Sequence, residues 1–233
     1  MKARGFTLIE LLLTMVILAI LASGVSSYIG LGATMYTDAI ERERILSQSR
    51  FVAERMVREL RNAVPNSVRV SDNGNCLEFA PVVAAGLYTS LDNTTLTYQW
   101  LSDASQVTVG NKVVVYPLKP EHVLDIDERN RSIVALSDPA TPDTFTLNGA
   151  FETGSPARHF YIYNETVKYC KTGSAITRNG IEMARDVNVT KTQFITEQPT
   201  LKRNALINLH LQFGSGNHND MFFNYEVHIP NVP

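Results

Sequence analysis

The residue whose placement demands chemistry is a lone carboxylate inside an apolar run. The chain opens MKARGFTLIELLLTMVILAILA: two cations, Lys2 and Arg4, then a Gly5-Phe6 junction, then an apolar stretch with one charge in it, Glu10. A carboxylate at the centre of a membrane-spanning helix costs roughly 2.5–3.5 kcal/mol on insertion scales, and less near an interface. Such a charge calls for a partner. Cleavage after Gly5 would create one, because Phe6 would become an amino terminus with a pKa of about 7.7–8.0, a cation at neutral pH. At about 4 Å and an effective dielectric near 20, a carboxylate–ammonium pair is worth ~4 kcal/mol before desolvation. Along one helix the two groups are near neighbours, and the same pair can also form between adjacent subunits.

Two plainer readings compete. An ordinary secretory signal peptide has a positive start, a short apolar core and small residues such as Ala22 and Ser23 at its cleavage site. Against it, Glu10 is misplaced in such a core, Gly5 immediately precedes an aromatic, and a helical pattern continues beyond Ala22. A simple bitopic anchor accounts for the hydrophobicity but gives Glu10 no purpose. The Gly5-Phe6 junction, Thr7, Glu10 and the uncharged run Leu11–Ala22 together resemble the class III signal of type IV pilins and pseudopilins. The resemblance implies that a prepilin peptidase cuts between Gly5 and Phe6 and methylates the Phe6 amine. It also implies that Glu10 helps recruit the subunit into a filament.

Composition sets bounds on the rest. The 233 residues allow one globular domain plus an extension. Loss of Met1–Gly5 takes Lys2 and Arg4 from a formal net charge of −2 and leaves −4, so no electrostatic argument favours nucleic acid. Lys2 and Arg4 favour a cytoplasmic N-terminus, which places everything after the apolar run on the periplasmic side. Cys76 and Cys170 form no CxxC. In an oxidising compartment a disulfide is the simplest reading of such a pair, and two unrelated buried thiols are the alternative.

The apolar run passes into an amphipathic pattern that continues to Ala63. Ile45, Val52, Met56 and Leu60 make one helical stripe, widened by Leu46, Ala53, Val57 and Val64, with charges on the other faces. Pro65 is the first proline and should stop the helix, because the residue before a proline disfavours helical geometry. A helix from Phe6 to Ala63 would be about 90 Å long, of which a hydrocarbon core of about 30 Å accommodates only the first part. Gly24, Gly30 and Gly32 are its weak points, each costing about 1 kcal/mol relative to alanine.

From Asn66 onward the pattern alternates. Ser67–Val70 and Cys76–Phe79 flank Asn73-Gly74, a strong hairpin signal. Further strands are expected at Leu96–Leu101, Val107–Val109, Lys112–Tyr116, Ile133–Leu136, Thr144–Leu147, His159–Tyr163, Val167–Cys170, Leu206–Phe213 and Phe222–Ile229. Gly110-Asn111 reads as a tight turn, and Asp138–Pro142 and Gly214–Asn217 read as loops. The expected organisation is a leader at 1–5, a helix at 6–64 with a membrane segment at about 6–28, and a β-rich head at 65–233. The fold class is α+β.

The strings MVRELRNAVPNSVRV, CLEFAPVVAAGLY, VVVYPL, VKYC, ITRNG and the ending EVHIPNVP are similar, in their order along the chain, to large minor pilins. The resemblance is to those of the mannose-sensitive haemagglutinin (MSHA) pilus and, more distantly, to J-type secretion pseudopilins. It implies a pilin-like fold and a structural role, inserted in the inner membrane and then at the tip of a pilus, priming assembly. A tip adhesin, or a minor pseudopilin of a type II secretion system, are the alternatives. The implied partners are other minor pilins, the major pilin, the prepilin peptidase and the inner-membrane assembly platform.

No HExxH, Walker A loop, GxSxG elbow, GxGxxG or paired CxxC is present, so neither an enzyme nor a cofactor is expected. His218-Asn219-Asp220 sits in a Gly/Asn-rich loop, and a hydrogen-bonded structural role is the expectation for His210 and His228. Asp125, Asp127 and Glu128 lack the glycine and terminal acid of an EF-hand loop, so a solvated acidic turn is expected rather than a calcium site. Tyr161, Tyr163, Phe222, Phe223 and Tyr225 are expected to pack the core, and an exposed subset would form a subunit or receptor surface.

Overall fold

In a computed structural model the described residues are 7–137, 143–197, 205–214 and 220–229. The chain divides into two compact units, one up to Leu46 and one from Ser47 onward, and a single helix, α1 (Leu8–Arg61), has residues in both. From Leu8 to Ile40 its apolar side chains are exposed. Among the described residues, α1 is the one helix long and apolar enough to cross a membrane. Four of its hydroxyls are satisfied internally. Thr14, Ser27, Thr34 and Thr37 each donate to a carbonyl three or four residues back, at 2.8–3.1 Å, so these four hydroxyls do not need water. The helix runs unbroken through Gly24, Gly30 and Gly32.

The second unit begins with the last part of α1, where Val52, Ala53, Met56 and Leu60 are fully buried. The final turn tightens, with Asn62 N–H donating to Glu59 O and Ala63 N–H to Leu60 O, both at 3.1 Å. Pro65 follows, and Asn66 turns the chain with φ 60°. The helix end is clipped to a distant segment: Val64 N–H donates to Ala80 O and Val82 N–H to Asn62 O, each at 2.8 Å.

Beyond the helix, the strands form three sheets. The first contains β1 (Arg69–Ser71), β2 (Cys76–Phe79), β9 (Val167–Thr172), β10 (Ala175–Arg178) and β11 (Ile181–Ala184), in that order. Ser71 pairs with Cys76 across the Asn73-Gly74 hairpin, where both turn residues have positive φ, 55° and 87°. The second is a closed antiparallel barrel of β3 (Ala84–Asp92), β4 (Thr95–Trp100), β7 (Thr144–Leu147), β6 (Asn130–Ala135), β5 (Lys112–Val115) and β8 (His159–Tyr163), sealed by pairing of β8 with β3. Closure removes the open edges that would otherwise template aggregation. Tyr98, Phe145 and Phe160 fill its interior with Leu96, Val113 and Ile133. The third sheet holds β12 (Gln193–Glu197), β13 (Ala205–Phe213) and β14 (Met221–Ile229). Every second residue of β13, from Ala205 to Phe213, is buried, the alternation of a sheet with one covered face.

A short helix, α2 (Glu121–Leu124), joins barrel to helix end. Val123 packs with Val64, Ala80, Val114 and Tyr163 in one buried cluster, and the Tyr163 hydroxyl donates to Val123 O.

Four strands, β3, β10, β11 and β12, are absent from the sequence-based expectation. Ala84-Ala85-Gly86 is a weak strand signal, yet Gly86 is required there: a Cβ would stand 2.5 Å from the Phe160 ring and 2.8 Å from Gln99 O. Val107–Val109, expected as a strand, is not one. Its backbone is engaged in turns, with Val107 N–H donating to Ala104 O and Thr108 N–H to the Asn111 side chain. The expected loop at Asp138–Pro142 lies outside the described residues.

One carboxylate ties α1 to the first sheet. Glu59 accepts from Arg55 at 2.9 Å, from Arg178 on β10 at 3.0 Å and from the Tyr169 hydroxyl on β9 at 3.0 Å. Burial pushes its carboxyl up, but these three donors outweigh burial and hold it below the usual carboxylate range. Burial, with the neighbouring carboxylate, drives the Tyr169 phenol well above its ordinary value. A depressed folded pKa contributes stability above the unfolded value of about 4.3 and loses it as pH falls through the folded value. Glu59→Gln should therefore lower head stability at pH 7 by about 1–3 kcal/mol, the cost of leaving charged donors short of a partner. Denaturation midpoints measured down a pH series should show the two proteins converging as pH falls below the unfolded value of about 4.3 and through the lower folded one. A gap that is constant with pH would show that the Glu59 charge contributes nothing.

Candidate functional site

The N-terminal site is built on the first turn of α1. Thr7 stands at the N-cap. Its carbonyl accepts from Glu10 N–H at 3.1 Å and from Leu11 N–H at 3.2 Å, and its hydroxyl accepts from Glu10 N–H at 3.4 Å. Thr7-Leu8-Ile9-Glu10 thus has the T-x-x-E spacing of a capping box, in which the cap hydroxyl meets the N3 amide. Glu10 is also the one acid in the first turn, where the positive end of the helix dipole favours a carboxylate. The capping role went unread in the sequence, although the spacing itself was the signal. Gly5 and Phe6 lie outside the described residues.

Cys76 on β2 and Cys170 on β9 are brought together as a disulfide, their Cα atoms 4.1 Å apart. They are directly opposite in the antiparallel register, and the adjacent position is hydrogen-bonded through Lys171 N–H to Asn75 O at 2.9 Å. This makes the cysteines a non-hydrogen-bonded pair, where opposed side chains lie closest. Alternation along β2 and β9 places the bridge on the opposite face of the sheet from Leu77 and Tyr169. Since Tyr169 binds Glu59 of α1, the covalent link lies on the face turned away from the helix.

Among the described residues, the His, Cys and acidic groups whose ligand atoms cluster are Asp72, Cys76 and Cys170. The two sulfurs are bonded to each other, so the group offers a metal no thiolate. Asp125 is engaged by Arg69 at 2.9 Å, and Asp127 accepts from Arg129 N–H at 2.9 Å. Glu128 sits against Glu152, whose hydrogen bond and charge push its carboxyl up. These acids form no converging oxygen cage. His218 and Asn219 lie outside the described residues. His210 Nδ1 is 2.7 Å from Asn224 Oδ1, and His228 Nε2 is 2.9 Å from Glu226 Oε1, so each histidine has a partner on the exposed sheet face. Of the aromatics, Tyr163 is buried and Phe223 stacks on Tyr225, whereas Phe222 is 75% exposed.

Replacing both cysteines by alanine should destabilise the head by about 2–5 kcal/mol, the usual cost of removing a native bridge, here one spanning a sequence separation of 94. Urea denaturation measures this. Thiol labelling of the denatured, unreduced protein should leave its mass unchanged, and modification at both positions would rule out the bridge.

Comparison with known proteins adds one result. Residues 1–26 match the prokaryotic N-terminal methylation motif. No curated protein and no solved structure matches the chain. The matched segment holds Gly5, Phe6, the Thr7 cap, Glu10 and the start of α1. The chain therefore carries a prepilin-type signal on an apolar helix suited to membrane anchoring, and it is type IV pilin-like at its N-terminus.

Proposed function

We propose that this chain is a minor pilin of a type IV pilus, of the MSHA type that the order of its head motifs resembles. It is inserted in the inner membrane by residues 6–28, with the leader 1–5 cytoplasmic and the head at 65–233 periplasmic. After processing it enters the filament through α1. The observation that carries this reading is the continuity of α1, which runs from the methylation motif into the buried core of the head without a break. Signal-peptidase cleavage near Ala22 would cut through this helix within its first third. A peptidase acting between Gly5 and Phe6 leaves it whole and supplies an ammonium near Glu10. The large β-rich head suits a subunit at the pilus tip, where no copy has to stack above it. Its partners there are the major pilin and other minor pilins, and before assembly the prepilin peptidase and the inner-membrane platform.

Mass spectrometry of the protein from sheared pili tests the reading. The expected N-terminus is N-methyl-Phe6. A mature terminus near Ser23 would overturn the assignment, and absence from pili in a strain that secretes through a type II system would favour a pseudopilin.

Glu10→Ala should leave membrane levels unchanged while reducing entry into filaments. The substitution makes the apolar run more hydrophobic, so insertion is no worse. In a dry bundle of helices the Phe6 ammonium then lacks its partner, and breaking a buried pair costs about 3–5 kcal/mol. Cell fractionation separates the outcomes. Normal amounts in sheared pili would show that Glu10 has no assembly role, and depleted membrane levels would locate the defect in folding.

A further inference from the structure

The solvent face of the third sheet carries a polar row in register across all of its strands. Gln193 on β12 is directly opposite His210 on β13, which is directly opposite Asn224 on β14. The next pair along the same face is Gln212 opposite Phe222. At about 4.8 Å between strands, the three side chains of the row span about 10 Å, and Gln212 and Phe222 sit about 7 Å further along the strands. Together with Thr190 and Lys191 they line an open pocket of about 470 Å³.

Two features set this patch apart from an ordinary solvated face. Its polar positions on the three strands are carboxamides and an imidazole, each planar and able to both donate and accept, while Thr190 and Lys191 stand at its edge. These groups are also preset. The His210–Asn224 bond uses Nδ1 and Oδ1, which leaves the imidazole Nε2 and the Asn224 amide nitrogen to meet a ligand. Gln212 is held by its Nε2 at 2.8 Å from Asp220, which leaves its carbonyl oxygen. Beside them Phe222 presents its ring to water at 75% exposure, with no burial to account for it.

From this we propose that the face formed by Gln193, His210, Gln212, Phe222 and Asn224 binds a neutral saccharide. A sugar ring has an apolar C–H face that stacks on a phenyl and a rim of hydroxyls that each donate and accept. It therefore complements an exposed aromatic next to alternating donors and acceptors. A phosphate or an acidic sugar would meet only Lys191 as a fixed cation. An apolar peptide would leave the carboxamides unpaired, at a desolvation cost. A flat, open site of this kind binds weakly on its own. This role belongs to the head and does not depend on how Phe6 is processed.

The test is saturation-transfer NMR on the full-length protein in a detergent without sugar headgroups, against maltose, cellobiose, lactose and chitobiose. Transfer to the ring C–H protons of at least one disaccharide is expected. Phe222→Ala should weaken it about tenfold, equivalent to the loss of one good contact, and His210→Ala and Asn224→Ala should weaken it to a lesser degree. Ile181→Ala, at a comparably exposed apolar residue away from this face, should not change it. Since these side chains are not in the core, melting should be unaffected in every variant. Absence of transfer from all four disaccharides, or transfer that Phe222→Ala leaves intact, would overturn the proposal.

Discussion

The head depends on burying one stripe of α1. Val52, Ala53, Met56 and Leu60 are fully excluded from water, and each large apolar side chain so buried contributes roughly 1.5–3 kcal/mol. This stripe obliges the helix to end where it does, because Val64, just past its last turn, is itself part of a buried cluster with Tyr163, Val114 and Val123. Strands from the barrel, the clip at Ala80 and α2 therefore converge on the helix terminus. The three-donor arrangement at Glu59 then fixes the register of helix against sheet. A shift of α1 by one residue would turn this carboxylate away from Arg178 and Tyr169.

Two carboxylates on the same helix show how solvent decides what a charge does. Glu59 finds every partner within its own chain, two guanidinium groups and a phenol, and is complete on folding. Glu10 has a backbone cap beneath it but no cationic side chain among the described residues of its own turn. In hydrocarbon that is an incomplete site. Under the proposed function, a group that folding leaves short of a counter-charge is available to reward the assembly step that supplies one.

The sheets divide their faces in the same economical way. In the first sheet, Leu77 and Tyr169 point toward the helix side while the Cys76–Cys170 bridge lies on the other, so covalent and hydrophobic cohesion do not compete for one surface. In the third, the buried residues of β13 leave the alternate face to Asn208, His210 and Gln212. The closed barrel has no comparable free edge, and its stacked and edge-on aromatics, with Tyr98 and Phe145 4.2 Å apart, use its interior fully.

What the sequence by itself determined is whatever is encoded within a few residues. The unbroken α1 and its stop before Pro65, the Asn73-Gly74 hairpin, and the strands Thr144–Leu147 and His159–Tyr163 all follow from local periodicity and backbone preference. The T-x-x-E cap at Thr7 is equally local, since its spacing lies within one helical turn. Tertiary structure alone decided the features that depend on register between distant segments. Ala84-Ala85-Gly86 becomes strand because β4 and β8 pair with it on either side, and Gly86 leaves the space that the Phe160 ring fills. Val107–Val109 has the composition of a strand but loses its backbone donors to turns at Ala104 and Asn111. With two cysteines one pairing is possible, but their standing face to face in β2 and β9 is a matter of register. The alignment of Gln193, His210 and Asn224 is likewise invisible along the chain. It exists because three successive strands share one hydrogen-bonded ladder in a fixed register, and a slip of a single residue would turn a strand's side chains to the opposite face.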